Sequence, residues 1–309
     1  MNEDRFTGCM LGLALGDACG APHEGGPLER LLWRVIGTTA GGAMRWTDDT
    51  QMSLDLAESL LDKGRLDQDD LALRFARSYH WSRGYGPGAA KLLKRIAKGQ
   101  AWRLANRAIF TSGSFGNGGA MRAPIIGLCY ARNPERVPEN ARLSASVTHA
   151  HPLGMEAAAL VAMATALALG RRDPMLILRG AGLICRDDQL LAKLASAEAS
   201  LCAATELTPA QVVNRLGNGI AALDSCVTAL YLGLRFLDRP FTDLLEFVAI
   251  CGGDADTIGA MAGAIWGAAN GGSSFPHLLL QRLEQVDRLR ATGRAMYLRF
   301  SLDSPLGQR

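Results

Sequence analysis

The chain has 309 residues, 48% of them apolar and 20% charged, the composition of an ordinary globular protein with enough material for a full-sized core. Its 33 basic and 30 acidic residues leave a net charge of +3, which gives no basis for bulk attraction to nucleic acid or anionic membrane, so an anionic ligand has to be held by a local site. Seven scattered cysteines (9, 19, 129, 185, 202, 226 and 251), with no Cys-x-x-Cys pair, read as reduced core thiols and argue against a disulfide framework or zinc ribbon.

In chain order, the first apolar stretch is Cys9–Gly16. It follows Asn2-Glu3-Asp4, with no positive region before it, and is interrupted by Asp17, so it reads as a buried helix and not a signal peptide. A cytoplasmic protein is expected. Asp17 sits in that helix at a cost unless it is hydrogen-bonded, and Glu24 falls just past the helix end, on a loop. Gln51–Lys63 places Met52, Leu56 and Ser59-Leu60 on one stripe and Asp55, Glu58 and Asp62 outside it. Ala- and Leu-rich helical segments recur at 156–170, 189–204, 209–224 and 257–269. The run Ala157–Leu169 is too short to span a membrane, and Thr208-Pro209 offers an N-cap with proline at the first helical position. Gly259, Gly263 and Gly267 recur every fourth residue and make a smooth helix face for close approach. Other glycines gather in loops at 37–42, 84–88, 113–119, 252–253 and 271–272, where they supply positive φ and exposed N–H groups. No period-2 stretch, linker or repeat interrupts this pattern. The expectation is an all-α chain folded as a single compact orthogonal helical domain over residues 1–309, a monomer by default.

Two segments carry the chemistry: Trp46-Thr47-Asp48-Asp49-Thr50 and Gly252-Gly253-Asp254-Ala255-Asp256-Thr257. Each follows a glycine-rich loop and opens a helix. Taken singly, either reads as helix capping, since Asp and Thr satisfy free N–H groups and favour the dipole. Taken together, they are paired acids each followed by threonine. If they converge, like charges about 4 Å apart repel by roughly 4 kcal/mol per pair at an effective dielectric of 20, and protons or cations must relieve the site. Carboxylate and hydroxyl oxygens without Cys or His form a hard ligand set, suited to Mg²⁺ or Mn²⁺. For Glu24 a solvated loop position, and for Asp17 a cap-like role, are the plainer readings. His149-x-His151 lacks a third zinc ligand. Trp46 and Trp266 read as core.

Six strings occur in one order: GxxLGDAxGxxxE (Gly12 to Glu24), WTDDTQM (Trp46 to Met52), GSFGNGGAMR (Gly113 to Arg122), SxTHAHxLG around His149, LGNGIAA (Leu216 to Ala222) and GGDADTIGAMAGAIWGA (Gly252 to Ala268). In that order they resemble the ADP-ribosylglycohydrolase family, which includes dinitrogenase-reductase-activating glycohydrolase and the vertebrate ADP-ribosylhydrolases. Arg83–Gly88, the Gly-Asn-Gly-Gly loop and LGNGIAA look closest to its ADP-ribosylhydrolase 3 branch, directed to serine-linked and poly(ADP-ribose) substrates.

The resemblance implies an all-α fold with two Mg²⁺ ions, Mn²⁺ in some members, at the base of a cleft. Thr47, Asp48 and Asp49 would bind metal from one side, and Asp254, Asp256 and Thr257 from the other, with Asp256 bridging. Glu24 would lie on a mobile loop over the distal ribose, within reach of a metal, with Asp17 orienting that loop. Ser112, Gly113, Ser114, Phe115, Gly116, Asn117 and Gly118 would wrap the diphosphate, with His149 nearby, Ile220 against the ligand, and Phe110 and Phe115 offering flat surfaces to adenine.

The implied reaction is metal-assisted hydrolysis at the anomeric carbon of the distal ribose, releasing ADP-ribose from a protein or small-molecule conjugate. Glu24, Asp48 and Asp49 are the candidate catalytic acids, with Glu24 first and Asp48 second for proton handling. Two other readings stand beside it: an ADP-ribose-binding or structural relative without turnover, and a metal-dependent diphosphatase acting on an ADP-ribose-like nucleotide. The leaving group is left open among serine, arginine, polymer, O-acetyl and nucleic-acid ends.

Overall fold

The computed structural model describes residues 1–302. Among these residues seventeen α-helices run from α1 (Glu3–Gly20) through α2 (Pro27–Ile36), α3 (Asp48–Lys63), α4 (Gln68–Ser78), α5 (Pro87–Ala97), α6 (Trp102–Ile109), α7 (Pro124–Cys129) and α8 (Val137–Ser146). They continue through α9 (Pro152–Ala168), α10 (Pro174–Gly182), α11 (Asp188–Leu201), α12 (Pro209–Leu216), α13 (Ala222–Arg235), α14 (Phe241–Cys251), α15 (Ala255–Asn270), α16 (His277–Gln281) and α17 (Val286–Phe300). Among the described residues β pairing is limited to three isolated bridges, Thr38 to Met44, Met44 to Leu283 and Gly116 to Ala221, so the fold is all-α as the sequence pattern predicts. No described helix is long and apolar enough to cross a membrane.

The centre of the molecule is the antiparallel pair α1 and α15, buried almost along their whole length. The predicted smooth face at Gly259, Gly263 and Gly267 has a partner that the sequence did not advertise: Gly8, Gly12 and Gly16 of α1. A Cβ at Gly12 would lie 2.1 Å from the carbonyl oxygen of Gly263, and one at Gly16 only 1.9 Å from that of Gly259. Backbones touch here because both sides lack side chains. This contact also sets the register, laying Gly20 at the end of α1 over Ala255 at the start of α15.

Two expectations need correcting. The segment 209–224 is not one helix: it breaks at Gly217, with φ +97°, and resumes at Ala222. The intervening turn at 217–221 borders the site described below. Asp55, predicted outside the apolar stripe of α3, is 4% exposed. It is sustained there by hydrogen bonds from Ser78 Oγ and from Gln51 Nε2 (3.1 Å), which satisfy its oxygens without water.

Candidate active site

The register of α1 against α15 brings the C-terminal end of one helix to the N-terminal end of the other. Glu24, on the turn after α1, thereby meets Asp254 and Asp256, and one carboxylate oxygen from each lies within 4.8 Å of the others. The N-terminus of α3 arrives through Asp17. That fully buried carboxylate accepts from the Thr47 amide at 2.9 Å, the Thr50 amide at 3.0 Å and Thr50 Oγ1 at 2.5 Å. Asp17 therefore anchors the start of α3, rather than orienting the Glu24 loop as the resemblance implied. That loop is tied instead by the Gly25 amide to the Gly253 carbonyl, at 3.2 Å.

Within the α3 turn, Thr47 Oγ1 donates to Asp49 Oδ2 at 3.0 Å, and Thr257 Oγ1 reaches the same oxygen from α15 at 3.3 Å. Asp49 Oδ1 is buried with no hydrogen-bond partner. Asp48 is half-buried and lines a cavity of about 290 Å³ together with Glu24, Asp254, Asp256 and Thr257. Asn117 Nδ2 donates to Asp254 and, at 2.9 Å, to Ser225 Oγ, joining the glycine loop to the acids.

The electrostatics follow from this crowding. Burial, with the charge of Asp254, lifts the Glu24 carboxyl to about 7 against its hydrogen bond to Asp256. Burial lifts Asp17 to about 6, opposed by its bonds from Thr50 and Thr47. Asp48, Asp49 and Asp256 are all pushed well up, by burial first and then by neighbouring charge: Asp17 and Glu24 on Asp48, Asp17 and Asp48 on Asp49, Asp49 and Glu24 on Asp256; Asp254 is raised by burial. An orphaned buried carboxylate oxygen beside acids that cannot all ionise is the condition a hard divalent cation relieves. The donor set fits one.

The opposite wall is the glycine loop. Ser114, Gly116, Asn117 and Gly118 line the cavity, with Phe110, Thr148, His149 and Ile220. Gly118 is held by Arg122, whose buried guanidinium donates to the Gly118 carbonyl, to Ser144 O (2.9 Å) and to Thr148 Oγ1 (3.0 Å). A Cβ at Gly118 would sit 2.4 Å from the His149 ring, so the loop closes on that imidazole only as glycine. Burial, helped by Arg122, drives His149 down to about 3 and keeps it neutral. The turn 217–221 meets the loop directly: Asn117 N donates to Ile220 O and Ala222 N to Phe115 O, each at 3.0 Å. Ser112, Gly113 and Phe115 do not line the cavity. Gly113 packs on the backbone of Ala150 and His151, and the exposed Phe115 ring lies edge-on to His151 at 5.9 Å.

A profile of the family described as ADP-ribosylglycohydrolase matches residues 1–305. The chain belongs to the ADP-ribosylglycohydrolase family. Its similar relatives include ADP-ribosylhydrolase ARH3 of Danio rerio, 33% identical over 96% of this chain and 91% of the relative. ADP-ribosylhydrolase ARH3 of Homo sapiens is 34% identical over 91% and 89%. A solved structure described as an ADP-ribosylglycohydrolase-related protein complex superposes with a TM-score of 0.71 at 29% identity, covering 96% of this chain and 98% of that one. Family membership supports an ADP-ribosylhydrolase-type activity on ADP-ribose conjugates.

Sequence reasoning missed two supports of this family site. Glu284, on no motif, accepts from the Trp46 amide at 2.9 Å and from Arg83, while Arg83 also donates to Trp46 O at 2.6 Å and stacks on the Trp46 ring at 3.5 Å. Arg122 ended a motif but carried no assigned role. A charged residue within an otherwise apolar run was the available signal for Arg122; Glu284 offered none.

Proposed function

We propose that this chain hydrolyses the glycosidic bond at the distal ribose of ADP-ribose conjugates, with two divalent cations, Mg²⁺ or Mn²⁺, held by Thr47, Asp48, Asp49, Asp254, Asp256 and Thr257. The observation that carries the reading is the meeting of two acid segments some 200 residues apart in sequence, joined through Asp49 and Thr257, beside a cavity that Glu24, Asp48, Asp254 and Asp256 line on one side and a glycine loop on another. When bound, such cations supply Lewis acidity toward the ribose hydroxyls and the attacking water.

The chain's own residues do the rest. Ser114, Gly116 and Gly118 present small groups to a diphosphate that has no lysine or arginine lining its cavity, while the amides of Gly116 and Asn117 are already spent on Ser114 Oγ and Ile220 O. Phe110 and Ile220 provide apolar surface for adenine. Neutral His149 keeps a ring nitrogen available to hydrogen-bond the ligand without adding charge, its Nδ1 lying 2.8 Å from Thr148 Oγ1. Glu24, on the open turn above the acid cluster, handles the proton, with Asp48 as second candidate, while the neighbouring carboxylates stabilise positive charge developing on the sugar. Likeness to the ADP-ribosylhydrolase 3 branch in Arg83–Gly88 and the 216–222 turn supports serine-linked, polymeric or O-acetyl substrates ahead of arginine-linked ones.

The experiment is a Mg²⁺-dependent release assay with serine-linked, arginine-linked and polymeric substrates in parallel, on wild type and on Asp256→Ala and Asp48→Ala. Loss of both metal binding and ADP-ribose release, with helical circular dichroism unchanged, supports the scheme; full activity in either variant defeats it. AMP plus ribose phosphate as products would instead mark a diphosphatase, and tight ADP-ribose binding without turnover a binding protein.

A further inference from the structure

Several donors on the glycine-loop wall of the cleft are already committed. The Gly116 and Asn117 amides go to Ser114 Oγ and Ile220 O, and Asn117 Nδ2 gives its two hydrogens to Asp254 and Ser225 Oγ. His149 lines the cavity beside that loop, half-buried, and its two ring nitrogens have different neighbours. Nδ1 lies 2.8 Å from Thr148 Oγ1. Nε2 is turned to the loop, where a Cβ at Gly118 would lie 2.8 Å from it and one at Gly116 3.4 Å. No protein group among the described residues bonds to that nitrogen.

Hydrogen bonding decides which nitrogen of that ring carries the proton. Arg122, fully buried and without a carboxylate partner among the described residues, uses both Nη2 hydrogens, one on Ser144 O at 2.9 Å and one on Thr148 Oγ1 at 3.0 Å. A guanidinium only donates, so Thr148 Oγ1 accepts there, and its one hydroxyl hydrogen remains to be placed. Thr148 is 2% exposed, and the acceptor within reach of that hydrogen is His149 Nδ1. The opposite tautomer, with the hydrogen on Nδ1, would leave the buried hydroxyl with nothing to donate to, which is costly for a polar group shut off from water. Protonating both nitrogens would do the same, and would set a second positive charge near Arg122.

We propose that Thr148, held by Arg122, is a positioning residue that fixes His149 as its Nε2–H tautomer, so that the ring meets a phosphate oxygen of the bound ligand as a neutral donor. The inference rests on the reading of the cleft as an ADP-ribose site. A phosphate oxygen only accepts hydrogen bonds. A ring nitrogen that presented its lone pair to the cleft would repel it, whereas an N–H attracts it. Arg122 acts at one remove: its guanidinium lies outside the cavity lining and reaches the ligand only through the hydroxyl and the imidazole. The tautomer is thus set by the far side of the ring, away from the ligand.

Long-range ¹H–¹⁵N spectra of the ligand-free protein labelled at histidine tell the two tautomers apart, with the His149 signals assigned by their loss in His149→Asn. Wild type and Thr148→Ser, which keeps the hydroxyl, are expected to show His149 as Nε2–H alone at neutral pH, and Thr148→Val a mixture. ADP-ribose affinity, measured by calorimetry in Mg²⁺, should fall about tenfold in Thr148→Val, the effect of losing one hydrogen bond to a charged group, and hold in Thr148→Ser. Adenosine, which has no phosphate, should bind all three alike. Nδ1–H in wild type, or an unchanged tautomer in Thr148→Val, overturns the relay. An altered tautomer with undiminished ADP-ribose affinity overturns the ligand contact, and equal weakening of adenosine overturns its assignment to phosphate. If wild type binds no ADP-ribose, the reading of the cleft fails, while the spectra still decide the relay.

Discussion

Thr257 Oγ1 donates to Asp49 Oδ2 at 3.3 Å, joining the first turn of α15 to the first turn of α3 across 208 residues of chain. Both helices thus aim their N-termini at one acid cluster, and the positive ends of two helix dipoles bear on carboxylates that repel one another. The same bond, with that from Thr47, occupies one oxygen of Asp49 and leaves the other free.

Metal should stabilise the fold as well as switch on chemistry. A cation bound by the native acids and not by the unfolded chain adds about 2.7 kcal/mol at a hundred times its Kd. For a chain of this size that raises Tm by several degrees. Thermal melts in Mg²⁺ or Mn²⁺ against EDTA measure the shift, and Asp256→Asn should remove it. An equal shift in that variant places the stabilising ion elsewhere.

Without metal, stability should fall as pH rises. Asp17 (about 6), Glu24 (about 7) and Asp55 (about 7) all have folded pKa values raised by burial above their usual values near 4. Between those limits the native state holds protons that the unfolded chain has lost, so stability declines from about pH 4 to pH 7. His149, lowered to about 3, works the other way and favours the fold as pH rises from 3 to 6.5, but it is one group against several acids. Tm in EDTA should therefore be higher at pH 5.5 than at pH 8, and Asp55→Asn should flatten the profile. A metal-free protein more stable at pH 8 contradicts the assignment.

Gly12→Ala should be among the most damaging single-methyl additions available. Its Cβ would meet the backbone oxygen of Gly263 at 2.1 Å, and no side chain can move aside. A loss of about 3 kcal/mol or more is expected in urea unfolding, because α1 and α15 must separate. At exposed Gly99, where a Cβ meets nothing within 4 Å, the obstacle is only φ +88°, and the loss should be smaller.

Glu284→Gln should cost about 3 kcal/mol, the usual effect of removing one partner from a buried ion pair, because Arg83 is left uncompensated. Since Glu284 also takes the Trp46 amide, metal affinity measured by calorimetry should weaken although Glu284 lies outside the acid cluster. Unchanged affinity would show that the Trp46 backbone is held without it.

The local chemistry was legible in the chain. Helical periodicity, the absence of alternating stretches, and Asp-Thr pairs after glycine turns depend on neighbours within a few residues, and a linear reading sees those directly. The boundary at Gly217 escaped it because the apolar pattern of 209–224 runs on past a backbone break. Asp55 escaped because its partner Ser78 lies on another helix.

The sequence by itself determined an all-α protein, two sets of acids poised at helix starts, and glycine faces that demand a close neighbour. Only the tertiary structure decided which surfaces meet. Gly8, Gly12 and Gly16 seat α1 antiparallel to α15, and that register carries Glu24 to Asp254 and Asp256 while Asp17 draws in Thr47 and Thr50. The reason is physical: carboxylates interact through distance in space, and that distance is set by helix packing between residues that have no relation along the chain.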